Sequence, residues 1–212
     1  MLLELKRIHV PPGQTVILKN VTWVELETIL EELGEHRAAR IAYDQGILEI
    51  MTPLPEHEDN KEIISDLFKA LLEELDIEFR CLGSTTFKNQ FIAQGIEPEQ
   101  CFYIKNEPLI RGKKRIDLTI DPPPDLALEI DITSRTHLNI YQGLKVPEVW
   151  RFENGKLNIN ILENDRYIES QSSLNFPNLP LIEVIPEYLE KSKIIGRNGT
   201  IKEFRNWVRQ HF

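Results

Sequence analysis

Two apolar segments separated by a helical one set the topology near the middle of this chain. Residues 126–132 are strongly apolar, residues 135–144 have helical spacing, and residues 149–152 form a second apolar run. Strands joined through a helix pair in parallel within one sheet. The sequence therefore predicts an α+β or α/β fold with a mixed central sheet and a helix on each face.

Helices and hairpins are predicted on both sides of this unit. Residues 22–33 have the capping box of a helix, with Thr22 as N-cap and Glu25 three residues later. The turn at 44–46 predicts a hairpin, and residues 57–75 carry the longest apolar stripe with helical spacing. Further strands are expected at 78–82, 85–87, 101–104, 116–120, 157–162 and 167–170.

The chain is expected to form a single domain over residues 1–212. We divide it into an N-terminal extension (1–55, a helix plus a hairpin), a core (56–152), and a hairpin with C-terminal helices (153–212). Two short helices are predicted in the tail, near 187–195 and 201–212, with Thr200 as the N-cap of the second. A 212-residue chain that is 41% hydrophobic can bury a core without disulfides.

Composition excludes several classes of protein. Two cysteines without a CxxC pair argue against a zinc ribbon or a disulfide framework, and favour a reducing cytoplasm. No apolar run reaches the ~20 residues of a membrane span, and the N-terminus does not resemble a signal peptide. We therefore expect a cytoplasmic protein with no membrane partner.

The charge balance excludes a generally basic nucleic-acid coat protein, because 25 basic residues face 34 acidic ones. Local basic patches remain candidates for phosphate binding. One is a cluster around Gly112: Arg111, Lys113, Lys114 and Arg115. The tail holds a second set around Trp207: Lys191, Lys193, Arg197, Lys202, Arg205 and Arg209. Both sets could equally be solubilising surface charge.

The strand at 126–132 carries two acids on one side. Residues alternate across a strand, so Glu129 and Asp131 share a face about 6–7 Å apart. Burying two like charges is costly unless a cation compensates, and carboxylates suit Mg²⁺ or Mn²⁺. The alternative is a polar face open to solvent. Glu99, after Pro98, could add a third carboxylate from a neighbouring strand, or it could be a turn residue.

Together with these acids, five segments resemble the Uma2-like restriction endonuclease family of the PD-(D/E)XK nuclease superfamily. The resemblance runs from about residue 23 to residue 152. It is carried by GILEIMTPLPEH (46–57), STTFK (84–88), EPEQCFYI (97–104), PPDLALEIDITS (123–134), and Tyr141 with VPEVW (146–150). The resemblance implies a central sheet with a helix on each side.

The resemblance also implies which residues act. It places the first acid of the family at Glu99, where Asp is usual, and the second at Glu129. The lysine of the E-x-K motif is replaced by Asp131. Some relatives carry a lysine later, at the position of His137, which shares a helix face with Tyr141.

Other candidates for the missing cation each have a structural alternative. Lys88 could be a solvated strand residue, and Lys145 could complete a helix C-terminus. His57 could pack against the hairpin, and His137 could be a capping or surface residue.

The activity implied by the resemblance is metal-dependent cleavage of DNA. Glu99, Glu129 and Asp131 would hold Mg²⁺ or Mn²⁺, with His137 as a further catalytic residue. DNA would be the substrate, and a homodimer would suit double-strand cutting. The alternative is a catalytically degenerate nuclease fold that binds nucleic acid or protein. A G-x-S-x-G or HExxH motif for other hydrolytic chemistries is missing from the sequence.

Overall fold

The structure is a computed structural model that describes residues 8–34, 39–83, 85–130 and 137–211. Asp131, a candidate metal ligand, lies outside the described residues. The side chain of His57 lies outside them as well.

The described residues form strands and helices in mixed order. The strands are β1 (Thr15–Lys19), β2 (Arg40–Asp44), β3 (Ile47–Met51), β4 (Arg80–Cys81), β5 (Phe87–Asn89), β6 (Gln94–Ile96), β7 (Gln100–Tyr103), β8 (Leu126–Ile130), β9 (Glu148–Glu153), β10 (Lys156–Glu163) and β11 (Arg166–Ser170). The helices are α1 (Trp23–Leu33), α2 (Pro55–Glu74), α3 (Glu107–Ile110), α4 (Leu138–Gly143) and α5 (Leu181–His211).

The strands make two sheets. One has five strands in the order β1-β3-β2-β6-β5, and its pairs are antiparallel. The other has six strands in the order β11-β10-β9-β8-β7-β4, in which β8 and β9 are parallel and the other pairs are antiparallel. The predicted mixed sheet flanked by helices is confirmed, and its parallel pair is the strand–helix–strand unit.

Three apolar clusters set the layers. On one face of the six-stranded sheet, α2 and α5 bury a cluster that includes Phe68, Trp150 and Phe204. On its other face, α4 packs in a cluster with Ala127 and Val149, to which the five-stranded sheet contributes Phe87 and Ile96. α4 therefore lies between the two sheets. The far face of the five-stranded sheet is covered by α1.

Local signals fixed α1 and the first hairpin as expected. The Thr22 hydroxyl accepts from the Glu25 amide at 3.3 Å, and the Glu25 carboxylate accepts from the Thr22 amide at 2.7 Å. These bonds satisfy two amides at the helix start. β2 and β3 pair across the predicted turn.

Several expectations differ from the structure. Residues 116–120 form a turn rather than a strand, because the Asp117 carboxylate and carbonyl accept from Thr119 and Ile120. Thr200 is no N-cap: its hydroxyl donates to the Gly196 carbonyl at 2.9 Å, one turn inside a helix. α5 breaks at Gly196, where φ is 76°, so its second half begins earlier than predicted. β1 and β6 were not predicted.

The long tail helix is tied to α2 by apolar and ionic contacts. Its residues Arg205 and Arg209 pair with Glu74 at 2.8 and 2.6 Å, and Arg197 pairs with Asp66 at 2.5 Å. None of the helices in the described ranges has the length and apolarity needed to cross a bilayer.

Candidate active site

The carboxylate Glu129 lies near the C-terminal end of β8, on the face that α4 covers. Leu128 and Ile130 point to the α2 side, whereas Ala127 packs on the α4 side. Alternation along the strand therefore directs Glu129 toward α4. Its neighbour Ala127 is fully buried, while Glu129 is half-buried.

The other predicted carboxylate, Glu99, immediately precedes β7. The ladder pairs Gln100 with Leu128 and Cys101 with Ala127, and the same register extended by one residue sets Glu99 opposite Glu129. Cys101 belongs to the cluster on the α4 side, so alternation gives Glu99 that face too. Glu99 is only 3% exposed. The extended register thus sets the two acids opposite each other, on the same side of the sheet.

The segment that carries Glu99 is held by β2 of the five-stranded sheet. The Arg40 guanidinium of β2 donates to the Pro98 carbonyl at 3.2 Å and to Glu58 of α2 at 3.0 Å. The buried Glu97 carboxylate accepts from the amide of Ile41 at 3.1 Å. These contacts anchor the backbone on either side of Pro98, and so fix where Glu99 starts its strand.

Tyr141 of α4 donates its hydroxyl to the Glu129 carboxylate. Burial, followed by the nearby Glu129 charge, raises the pKa of Tyr141 well above its ordinary value. The phenol therefore stays protonated at neutral pH and acts as a donor. The bond orients one oxygen of Glu129 and joins α4 to β8.

A basic residue that the sequence reasoning missed lies on the other side of Glu129. In the parallel ladder of β8 and β9, Arg151 is the register partner of Glu129. Val149 packs on the α4 side and Trp150 on the α2 side, so Arg151 faces α4 like Glu129. Its guanidinium lies 3.4 Å from Glu153, and its side chain is 15% exposed. The strand–helix–strand pattern predicts the parallel pairing of these strands, but no local pattern predicts their register.

His137 lies immediately before α4, and its ring contacts the five-stranded sheet. The Nε2 atom is 2.9 Å from Oε2 of Glu49 on β3. Two residues later, the Asn139 amide donates to Asp44 of β2 at 2.6 Å. The structure therefore gives His137 a carboxylate partner from the opposite sheet, while Tyr141, four residues on, reaches Glu129.

The two candidate lysines form ion pairs elsewhere. Lys88 on β5 pairs with Glu27 of α1. Lys145, after α4, pairs with Asp165 at 2.7 Å in an exposed turn. Both contacts favour the structural alternatives for these residues.

The basic cluster at 111–115 lies in the connection from the end of β7 to the start of β8. Glu99 and Glu129 are at the opposite ends of these two strands, so the structure does not bring the cluster to the carboxylates. Arg111 forms a bidentate contact with Glu107, and Lys113 pairs with Asp121. Lys114 and Arg115 are exposed.

The basic residues of the tail are engaged in ion pairs as well. Lys191 pairs with Glu203, and Lys193 with Glu190 at 2.6 Å. Trp207 packs against the core and stacks on Phe204 with ring centroids 5.7 Å apart. These ion pairs favour a structural role for the basic residues of α5.

The donor set for a metal ion is partly described. Among the residues that the structure describes, no group of three or more His, Cys, Asp or Glu side chains is arranged to hold a metal. Asp131, the third predicted ligand, lies outside them. Mg²⁺ commonly uses one or two carboxylates and completes its shell with water and substrate phosphate. Glu99 and Glu129 have the chemistry for that role.

One family model matches most of this chain. A family model described as "Uma2: Putative restriction endonuclease" matches residues 23–190. A solved structure described as a putative nuclease belonging to DUF820, from Anabaena variabilis ATCC 29413, is 12% identical with a TM-score of 0.48, and the alignment covers 89% of this chain and 99% of that one. A search of curated proteins gave no match.

Proposed function

Because the chain belongs to the Uma2 family of restriction-endonuclease-like proteins, we propose that it is a metal-dependent endonuclease that hydrolyses phosphodiester bonds in DNA. Glu99 and Glu129, with Asp131, would hold Mg²⁺ or Mn²⁺. A bound divalent ion lowers the pKa of a coordinated water and stabilises negative charge on the phosphate. Tyr141 orients Glu129 within this set.

The proposed reaction is an in-line hydrolysis. The oxygen of a water molecule forms a bond to phosphorus as the bond from phosphorus to the 3′ oxygen breaks. The attacking water loses one proton to solvent, and the leaving 3′ oxygen takes one proton from solvent. The products are a 5′-phosphate and a 3′-hydroxyl, so the atoms and charges balance.

One observation carries this proposal: the β7–β8 register, extended by one residue, sets two acids 30 residues apart in sequence opposite each other. Two half-buried or buried carboxylates side by side repel one another, and a shared cation offsets that cost. A purely structural acid pair would not need this arrangement. The family membership supports the class of reaction, and the register supports Glu99 and Glu129 as its centre.

A second candidate function is a nuclease fold without catalysis that binds nucleic acid or protein. Asp131 replaces the lysine of the E-x-K motif, and the basic cluster around Gly112 lies at the other end of the strands. Both features favour a chain that keeps the fold and has lost the chemistry. Metal binding and cleavage distinguish the two functions.

The first test is nicking of supercoiled plasmid in Mg²⁺ or Mn²⁺. We expect the wild-type protein to nick DNA, and Glu129→Gln and Glu99→Gln to lose at least about a hundredfold in rate, because each removes a charged ligand. Glu169→Gln, on the exposed edge strand β11, is the matched control and should keep the wild-type rate. Equal rates in wild type and Glu129→Gln would contradict the proposal.

Calorimetric titration with Mn²⁺ separates the two functions. An active enzyme should bind the ion with an affinity that Glu129→Gln weakens and Glu169→Gln does not. A protein that binds duplex DNA but neither binds Mn²⁺ nor nicks plasmid would be the binding module instead.

A further inference from the structure

Glu129 has a charged neighbour on each side within the six-stranded sheet. On one side the neighbour is Glu99, just before β7, which the β7–β8 register extended by one residue sets opposite Glu129. On the other side it is Arg151 of β9. Residues at one register position of a sheet have side chains on the same face, with backbones about 4.8 Å apart. Three charged groups, one just before β7 and one each on β8 and β9, therefore form one row: Glu99, Glu129 and Arg151.

We infer that Arg151 supplies the positive charge that acts on the scissile phosphate, a role for which the E-x-K motif would use a lysine on β8. This inference rests on the proposed function. The position that would hold the lysine is Asp131, two residues after Glu129 in the sequence. Arg151 offers a cation from the adjacent strand instead, at the level of Glu129 itself.

The surroundings of Arg151 suit this role. Its side chain is 15% exposed, so the charge acts in a partly desolvated setting where electrostatic interactions are stronger than in water. The guanidinium carries five N–H donors in a planar fork that matches two oxygens of a phosphate. Its contact with Glu153, at 3.4 Å, holds the side chain along the same face of β9.

Arginine and lysine would do different things at this position. Arginine stays charged at every pH at which the protein is folded, so it cannot exchange a proton with water. Its part is limited to binding the phosphate and stabilising the charge that develops during the displacement. We therefore expect the pH–rate profile to lack a deprotonation step from this group.

A merely structural role for Arg151 makes a different prediction. If the guanidinium only neutralised the two carboxylates, its removal would strengthen Mn²⁺ binding and leave the rate at saturating metal unchanged. If it acts on the phosphate, its removal lowers that rate and weakens duplex binding, while Mn²⁺ affinity stays the same or rises.

The experiment compares wild type with Arg151→Gln and Arg151→Lys, and uses Arg166→Gln on the exposed edge of β11 as the matched control. Three quantities are measured: the single-turnover nicking rate at saturating Mg²⁺, the Mn²⁺ dissociation constant by calorimetry, and binding of a short duplex in Ca²⁺ by fluorescence anisotropy. Circular dichroism checks that each variant is folded.

We expect Arg151→Gln to lose about a hundredfold in rate, as when one charge-stabilising donor is removed from other active sites. Its duplex affinity should fall severalfold, and Arg151→Lys should recover part of both losses. Should Arg151→Gln be unfolded, Arg151→Lys decides: a reduced rate with unchanged Mn²⁺ affinity supports the inference.

Rate and duplex affinity within twofold of wild type in folded Arg151→Gln, or in Arg151→Lys where Arg151→Gln is unfolded, would overturn the role of Arg151 and leave the proposed function intact. A wild-type protein that does not nick DNA would instead overturn the proposed function. In that case the duplex-binding measurement in Ca²⁺ still tests whether Arg151 binds phosphate, because it requires no cleavage.

Discussion

Glu99 and Arg151 flank Glu129 by strand register, and Tyr141 donates a hydrogen bond to it. Glu99 adds a like charge, Arg151 an opposite charge, and Tyr141 a neutral donor. A cation at this point would balance the row, which is why these residues outweigh other buried acids as candidates.

The hydroxyl of Tyr141 can be tested separately from its ring. In Tyr141→Phe the ring still fills the cluster around α4, but Glu129 loses the donor that orients it. We expect a nicking rate reduced about tenfold and a stability loss of about 1 kcal/mol, the usual worth of one hydrogen bond. Nicking assays and thermal unfolding measure the two effects.

The matched control is Tyr167→Phe. This variant loses a hydrogen bond of the same kind, from the Tyr167 hydroxyl to the Val146 carbonyl at 2.5 Å, away from the carboxylates. It should show the stability loss alone. Equal rates in the two variants would show that the Tyr141 hydroxyl does not position Glu129.

At the scale of elements, α4 is a short helix that contacts both sheets. Its N-terminal end contacts Glu49 and Asp44 of the five-stranded sheet, and Tyr141 contacts β8 of the other. At its C-terminal end, Gly143 packs so close to Gln94 of β6 that a Cβ atom there would lie 1.8 Å from the amide oxygen. The position of Tyr141 is thus fixed by both sheets.

The segment between β11 and α5 is anchored to β9 by Glu148. This fully buried carboxylate accepts from the Trp150 indole at 2.6 Å, and from the Leu174 amide and the Asn175 side chain at 3.0 Å each. Burial raises the pKa of Glu148, although these donors act to lower it. The carboxylate oxygens of Glu148 accept all of these hydrogen bonds from groups within the fold, so its role is structural.

Replacing this anchor should loosen the segment without touching the chemistry. In Glu148→Gln an amide nitrogen faces donors that need an acceptor, and a buried donor left unpaired costs about 1–3 kcal/mol. We expect the midpoint temperature of thermal unfolding to fall by several degrees, because each kcal/mol of lost stability lowers it by about 2–4 °C in a chain of this size. Glu163→Gln, at the exposed end of β10, should leave the unfolding temperature unchanged. A fall of equal size in both would contradict this assignment.

At the scale of the whole molecule, the basic residues of the C-terminal helix α5 bind it to α2. Arg197, Arg205 and Arg209 of α5 pair with acids along α2. The two helices together cover one face of the six-stranded sheet. Charges that the sequence offered as a nucleic-acid surface are therefore used to hold two helices 130 residues apart in sequence against each other.

These ion pairs predict how stability depends on pH. Hydrogen bonds from Arg209 and Arg205 lower the pKa of Glu74 from its ordinary value of 4.5. A lowered folded-state pKa means that the stabilisation is complete above about pH 4.5 and is lost as pH falls through the folded value. The midpoint temperature of thermal unfolding, measured from about pH 6 down to pH 3, should therefore fall more steeply in wild type than in Glu74→Gln. Parallel curves would contradict this contribution, and Glu169→Gln serves as the control.

Some of this architecture is present in single stretches of sequence. The capping box that starts α1, the turn between β2 and β3, the apolar stripe of α2 and the alternation along β8 are local patterns. They depend on the geometry of one helix or strand, so they predict elements and faces correctly. The acids Glu99 and Glu129, and the parallel pairing of β8 with β9, could be proposed from the same patterns.

The partners of those elements were decided only by tertiary structure. Registers set Glu99 and Arg151 on either side of Glu129, and packing of α4 between two sheets turned His137 toward Glu49. Register and packing depend on side chains far apart in the chain fitting one buried space, and no short stretch of sequence contains that information. The sequence by itself therefore determined which residues carry charge and which faces are apolar, and the folded chain determined which charges meet.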